Sequence, residues 1–296
     1  LKTRILLASN GGKPARAAGL LLRRLADVQR VEVTVNVCDS VEFAFPAEPW
    51  SYGSERKPRA QPAEVSESEV AAFRAEGFDV DSIVGSGVPA EQIVDQVKAG
   101  DYDIAAMGAG SAKWVDNYLL GSTSTRVLHS SEKSVLIVHR FDDVPGRVRV
   151  LIATDGSADA GEAVEIFGGL ADPKKVTVRV ASVADEVPTI ARLVPEGLQP
   201  SEVAAYLKGA AQKSAQTAAG PLRELGFEVD TVCPAGEPVR EILALAKDAN
   251  LVVCGSRGMG GASRFLLGSV SDQLVRLAPA TLVCRRADRS EPPQPQ

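Results

Sequence analysis

Histidine and cysteine are scarce in this chain, at two and four residues in 296. Two histidines give little footing to zinc sites or to serine–histidine chemistry. His129 reads as helical and His139 as a strand end, both structural or exposed. The cysteines, Cys38, Cys233, Cys254 and Cys284, form no close pair, and three fall in apolar, strand-like runs. They read as small buried residues of a cytoplasmic protein, not as disulfides or metal ligands. Basic residues do not outnumber acidic ones. The net charge of −5 argues against a nucleic-acid partner, which calls for a basic face. No apolar run reaches the length of a membrane span, so no membrane partner is expected. The start, Leu1-Lys2-Thr3-Arg4, does not have the form of a secretory leader, and the missing initiator Met is read as residues preceding Leu1. Two phosphate-binding signatures are also missing. No Gly-Lys-[Ser/Thr] of a Walker loop occurs, and neither Asn10-Gly11-Gly12 nor Asp155-Gly156-Ser157 makes a Gly-x-Gly-x-x-Gly fingerprint.

What is present is 45% hydrophobic and 24% charged residues, enough for a packed core. The length suits two domains of about 150 residues. Apolar runs at 4–8, 31–37, 78–84, 103–107 and 135–139 read as strands, the second alternating and β-branched. Helical patterns at 15–26, 65–75, 89–98 and from 121 separate them, with Gly77 as a C-cap and Pro89 in a first turn. After a polar linker at 141–146 the pattern repeats. Strands are expected at 148–153, 176–183, 227–233, 251–254 and 281–285. Helices are expected at 158–170, 201–225, from 238, and at 270–278. Ser157 is a fitting N-cap, and Gly220-Pro221 is expected to interrupt the long Ala-rich helix. The stretch 45–62 is rich in proline and charge and carries Trp50 and Tyr52; it reads as a surface excursion or a lid. Residues 288–296 read as a disordered tail.

Strands alternating with helices argue for an α/β fold with a parallel sheet covered on both faces. Landmarks recur at a near-constant spacing. Gly77-Phe78 and Gly226-Phe227 are 149 residues apart, as are Gly87-Val88-Pro89 and Gly236-Glu237-Pro238; Gly121-Ser122 and Gly268-Ser269 are 147 apart. Two copies of one domain are therefore expected, at 1–141 and 147–287.

In the second copy a buried strand, Leu251-Val252-Val253-Cys254, runs into Gly255-x2-Gly258-x9-Gly268-Ser269 and then a helix. Glycines let a backbone approach a ligand closely, and a helix N-terminus offers unpaired N–H groups and partial positive charge. Phosphate suits that geometry. In a doubly wound sheet of order 3-2-1-4-5 the first and fourth strands flank the ligand crevice. Asp155 then stands where it can hold a ribose hydroxyl or a divalent ion, and the backbone near Val183 where it can read an adenine edge. Arg257 and Arg264 either balance phosphate charge or lie on the surface. Glu237 and Glu241 read as a solvated helix face.

With Gly255, Gly258, Gly268 and Ser269 in the loop, Asp155 in the first turn and a Gly-x-Pro before the third helix, the chain resembles the universal stress protein family in a tandem form. The resemblance covers nearly the whole chain. It implies two doubly wound domains, each a five-stranded parallel sheet, with ATP bound mainly in the second and Mg2+ on Asp155. It implies a nucleotide set of Asp155, Val183, Gly255, Arg257, Gly258, Gly268, Ser269, Val270 and Ser271. It also implies that residues 134–139 pair with 281–285 as an internal pseudo-dimer, with a homodimer as a further option.

The first copy departs from that pattern. Asn10 stands where Asp155 stands, Gly12 for Ser157, Ser111 for Gly258 and Gly110 for Arg257, while Gly108, Gly121 and Ser122 are kept. Asn10 lacks the charge for a metal, and Ser111 puts a side chain where the loop should pass phosphate. A weak or empty site is expected there, formed by Asn10, Val37, Gly108, Ser111, Gly121 and Ser122. Trp114 and Tyr118 either fill its pocket or pack elsewhere. The leading functional expectation is an ATP-binding stress sensor or regulator. The alternatives are a slow ATPase at the same site, though no residue stands out as a general base, and a non-nucleotide interaction scaffold, which the degenerate first copy and the Pro-rich stretch 45–62 favour.

Overall fold

The computed structural model describes residues 2–39, 61–110, 120–143, 145–185, 199–258 and 267–285. Most of 45–62, with Trp50 and Tyr52, lies outside the described residues, as do Ser111, Trp114, Tyr118, Arg264 and the tail. The first half runs β1 (Thr3–Ala8), α1 (Lys13–Leu25), β2 (Val31–Asp39), α2 (Pro62–Ala75), β3 (Asp79–Ser86), α3 (Pro89–Ala99), β4 (Ile104–Gly108), α4 (Ser122–Ser130) and β5 (Ser134–Val138). The second runs β6 (Val148–Ala153), α5 (Ala158–Leu170), β7 (Val176–Ala181), α6 (Pro200–Glu224), β8 (Val229–Val232), α7 (Pro238–Ala246), β9 (Leu251–Gly255), α8 (Ser269–Leu277) and β10 (Ala280–Cys284).

The ten strands of the described residues form one sheet, in the order β3-β2-β1-β4-β5-β10-β9-β6-β7-β8. Each half has the 3-2-1-4-5 order that the sequence pattern predicts, parallel throughout. Helices cover both faces. Apolar side chains of α1, α2, α5 and α6 pack one face, and those of α3, α4, α7 and α8 the other. This is why β5 and β10 are apolar at nearly every position: both faces of both strands are buried.

The halves join through β5 and β10, the antiparallel pair of the sheet, with Leu136 opposite Leu282. The contacts around this pair repeat with pseudo-twofold symmetry. Asp27 N donates to Leu170 O at 3.0 Å, and Asp172 N to Leu25 O at 2.9 Å. His139, just past β5, bonds through Nε2 to Val275 O of α8 at 2.7 Å. Arg285, just past β10, donates from Nη2 to Leu128 O of α4 at 2.6 Å.

Three local expectations need correction. α6 runs through Gly220-Pro221 without interruption. The proline falls in the last turn, where it removes one ladder bond, and the buried stripe Ala211, Ala215, Ala219 and Leu222 holds that turn down. β8 is shorter than the apolar run 227–233, because Phe227 leaves the strand to pack beside Phe167. Glu237 is more than a solvated residue: its carboxylate caps α7, accepting from Val239 N at 3.1 Å and Arg240 N at 2.8 Å. Ser157 caps α5 as expected, accepting from Ala160 N.

Burial pushes the His139 imidazole below its ordinary value near 6.5, only partly offset by the Val275 bond. The folded state therefore favours the neutral ring, and the unfolded chain takes up the extra proton. The stability this residue contributes is complete above about pH 6.5 and is lost as pH falls below it. His139→Gln keeps a donor for Val275 O and does not titrate. Urea midpoints measured from pH 7.5 to 5 are expected to fall less for this variant than for wild type. Parallel curves would contradict the assignment.

Candidate ligand site at the second switch point

A cavity of about 730 Å3 opens at the carboxyl ends of β6, β7 and β9, where the strand order of the second half reverses. This volume is typical of small-molecule sites, which run from about 300 to 1,000 Å3. Asp155, Val183, Gly255, Arg257, Gly258, Gly268, Ser269, Val270 and Ser271, predicted to act together, all line it.

The turn after β6 holds Asp155 by an Asx-type bond, Ser157 N donating to Oδ1 at 2.9 Å. Gly156 sits at φ +81 beneath Ser214. On β7 the backbone alternates its partners. Ser182 N and Ala184 N donate toward β8, to Val232 O and Pro234 O, while Ala181 O accepts Thr154 N from the β6 side. β6 ends at Ala153, so the N–H and C=O of Val183 point into the space that strand has left. At the other wall α8 begins, and Ser269, Val270 and Ser271 carry its first three N–H groups, which have no intrahelical acceptor.

Ser256 ties these parts together. It is 1% exposed. Its N donates to Cys284 O at 2.8 Å, its carbonyl accepts Gly268 N at 2.8 Å and Ser271 Oγ at 3.0 Å, and its Oγ donates to Asp159 Oδ2 at 2.9 Å. The Ser271 hydroxyl is thus spent on loop carbonyls, Ser256 O and Gly268 O. Its part in the cavity is to fasten the loop. Arg257 lies 3.3 Å through Nε from the same Asp159 oxygen.

The described loop glycines, Gly255, Gly258 and Gly268, have different reasons to be glycine, and none of the three has a positive φ. A Cβ on Gly255 would stand 2.7 Å from the Asp159 carbonyl carbon and 2.9 Å from Ala160 N, so the glycine admits the first turn of α5. A Cβ on Gly268 would meet Ser256 O at 3.3 Å. A Cβ on Gly258 would meet Asp155 Oδ2 at 2.5 Å. Of the three, Gly258 is the one whose Cβ would meet no backbone, only the Asp155 side chain.

The first half repeats the framework and changes the contents. Gly108 would meet Pro14 and Ala15 backbone as Gly255 meets Asp159 and Ala160. Ala109 O accepts Gly121 N and Ser124 Oγ, the counterparts of Gly268 and Ser271. Asn10 makes the same turn bond, accepting Gly12 N at 2.9 Å. Ser122 opens α4, as Ser269 opens α8. Val37 corrects an expectation. It is 2% exposed and packed in the core under α1 and α2, because side chains alternate along β2. In register with β7, Cys38 and not Val37 occupies the Val183 position.

Sequence reasoning missed the roof of the cavity. Leu207, Ala210, Ala211 and Ser214 line it from α6, at 25 residues long against 14 for α2. Both helices open with Gln-Pro-x-Glu capping boxes. The signal was a stripe of small residues at helical spacing, indistinguishable from an ordinary core face. Asp159 and Ser256 were also missed, since neither belongs to the spaced glycines.

Fold and cavity define a tandem doubly wound α/β protein with a ligand cavity at its second switch point. The family model described as the universal stress protein family matches it twice, over residues 3–139 and 147–286. A universal stress protein of Mycobacterium tuberculosis is 27% identical over 227 residues, 74% of this chain and 72% of the relative. One of Bacillus subtilis is 32% identical over 138 residues, 44% of this chain and 93% of the relative. The crystal structure of one from Archaeoglobus fulgidus shares the fold at a TM-score of 0.62 and 23% identity, covering 96% of this chain and 98% of that one. The chain belongs to the universal stress protein family.

Gly255→Ala and Gly108→Ala force apart helix and strand backbone, and each is expected to lose about 1–3 kcal/mol of stability to urea. Gly258→Ala meets only the exposed Asp155 carboxylate and is expected to lose less than about 0.5 kcal/mol. Equal losses at the three positions would contradict this division.

Proposed function

We propose that the second half binds an adenine nucleotide, ATP with Mg2+, in the cavity at β6, β7 and β9, and that the chain serves as a stress-response sensor or regulator. The observation that carries the reading is Gly258 against Asp155. A Cβ on Gly258 would stand 2.5 Å from Asp155 Oδ2, so a side chain there displaces that carboxylate, and the same cavity holds the open N-terminus of α8. In this reading the phosphates lie on the N–H groups of Ser269 and Val270, and the adenine edge on the Val183 backbone. Leu207, Ala210 and Ile242 supply apolar wall.

Mg2+ keeps most of its waters and is held by one or two carboxylates plus substrate phosphates. Asp155, fixed by Ser157 N, fits that demand. Among the described residues no three His, Cys, Asp or Glu side chains gather to hold a metal without phosphate. The metal would screen phosphate charge from Asp155, which otherwise repels it. The first half offers Asn10 in place of the carboxylate, and nucleotide is assigned to the second half alone.

Two measurements test the reading. Protein denatured after purification from its own cells is expected to release adenine nucleotide on chromatography. Calorimetric titration with Mg-ATP is expected to show a fall of at least about tenfold in affinity, or about 1.4 kcal/mol, for Gly258→Val. No released nucleotide together with equal affinities, or no binding by wild type, would favour an interaction scaffold instead.

A further inference from the structure

We propose that Asp159 is a positioning residue that holds Arg257 at the phosphate end of the cavity, so that a carboxylate close to the site strengthens the binding of a phosphorylated nucleotide. This deepens the nucleotide reading and rests on it.

The geometry is a clamp of three side chains. Asp159 stands in the first turn of α5, where the helix N-terminus favours a carboxylate. Its side chain is 12% exposed, and Oδ2 receives both Ser256 Oγ at 2.9 Å and Arg257 Nε at 3.3 Å. Ser256 fixes the carboxylate against a buried backbone hub, and the carboxylate in turn fixes the guanidinium of Arg257, whose side chain is 29% exposed and lines the cavity. A second guanidinium stands behind them. Arg285 is 9% exposed and is anchored by Leu128 O, with its backbone N on Ser134 Oγ. Burial and the charge of Arg257 both disfavour its protonated form, and Asp159 offsets them only in part. Without that carboxylate, Arg257 loses its anchor.

The first half lacks all three members together. Pro14 occupies the Asp159 position, Ala109 that of Ser256 and Gly110 that of Arg257. The framework around them is kept, down to Gly108, Gly121 and Ser124. Clamp and cavity acid are present in the same half and missing from the same half, so the clamp is not needed to build the fold.

The sign of the expected effect separates this role from plain electrostatics. By Coulomb's law, deleting a negative charge near phosphate tightens binding. Through loss of Arg257, deleting Asp159 weakens it. Mg-ATP and adenosine are titrated calorimetrically into wild type, Asp159→Asn, Arg257→Met and the double variant. Asp159→Asn is expected to weaken Mg-ATP about tenfold, with adenosine changed by less than about twofold. Arg257→Met is expected to match it, and the double variant to be no worse than either single one. Ser256→Ala, which removes the second anchor of the carboxylate, is expected to act in the same direction and serves if Asp159→Asn fails to fold. Tighter or unchanged Mg-ATP binding, or equal weakening of adenosine, overturns the proposal. Wild type that binds neither probe overturns the nucleotide reading, and this one with it.

Discussion

The structure depends on how closely the first helix of each half lies on the end of the fourth strand. At Gly255 and Gly108 the helix backbone comes so near that even a methyl group has no room. That approach brings the first turn of α5 beside the β9 loop, and so places Asp159 next to Ser256 and Arg257. β6 has ended by then at Ala153, which leaves Val183 without a strand neighbour on that side. The next strand end is tied to the last helix by one carbonyl, Ser256 O in the second half and Ala109 O in the first. A crevice between fixed walls follows from two backbone contacts. What the crevice can hold is then decided by a few side chains.

The two halves show those levels separately. Their shared residues, Gly108 and Gly255, Gly121 and Gly268, Ser124 and Ser271, are the ones that the backbone contacts require. Their differing residues, Asn10 for Asp155, Pro14 for Asp159 and Gly110 for Arg257, are the ones that take away the charges of the second-half cavity. The first half nevertheless keeps a structural office. β5 gives β10 its antiparallel neighbour, and Leu136 packs opposite Leu282 with both buried. An edge strand as apolar as β10 would otherwise stand exposed to other chains.

Much of the fold was legible in the sequence because its signals are local. Alternating or wholly apolar runs mark the strands, Gly and Pro mark helix ends, and the constant spacing of Gly77 and Gly226 exposes the repeat. The cavity's floor was legible too, since Asp155 and the spaced glycines sit in sequence next to strand ends. Its roof was not, because Ala210, Ala211 and Ser214 differ from core residues only through what lies opposite them. The motif also misled in one respect. Spaced glycines suggest room for a ligand, yet Gly255 and Gly268 make room for the protein's own backbone. Val37 failed for a simpler reason: a shift of one residue along a strand turns a side chain from cavity to core.

The central claim is that two like frameworks carry one nucleotide site, in the second half. Amide hydrogen exchange with and without saturating Mg-ATP tests it most directly. Added protection is expected at 153–158, 181–185 and 267–272, with 8–12, 36–39 and 120–125 unchanged. Protection at the first-half segments, or at none of the six, would contradict it.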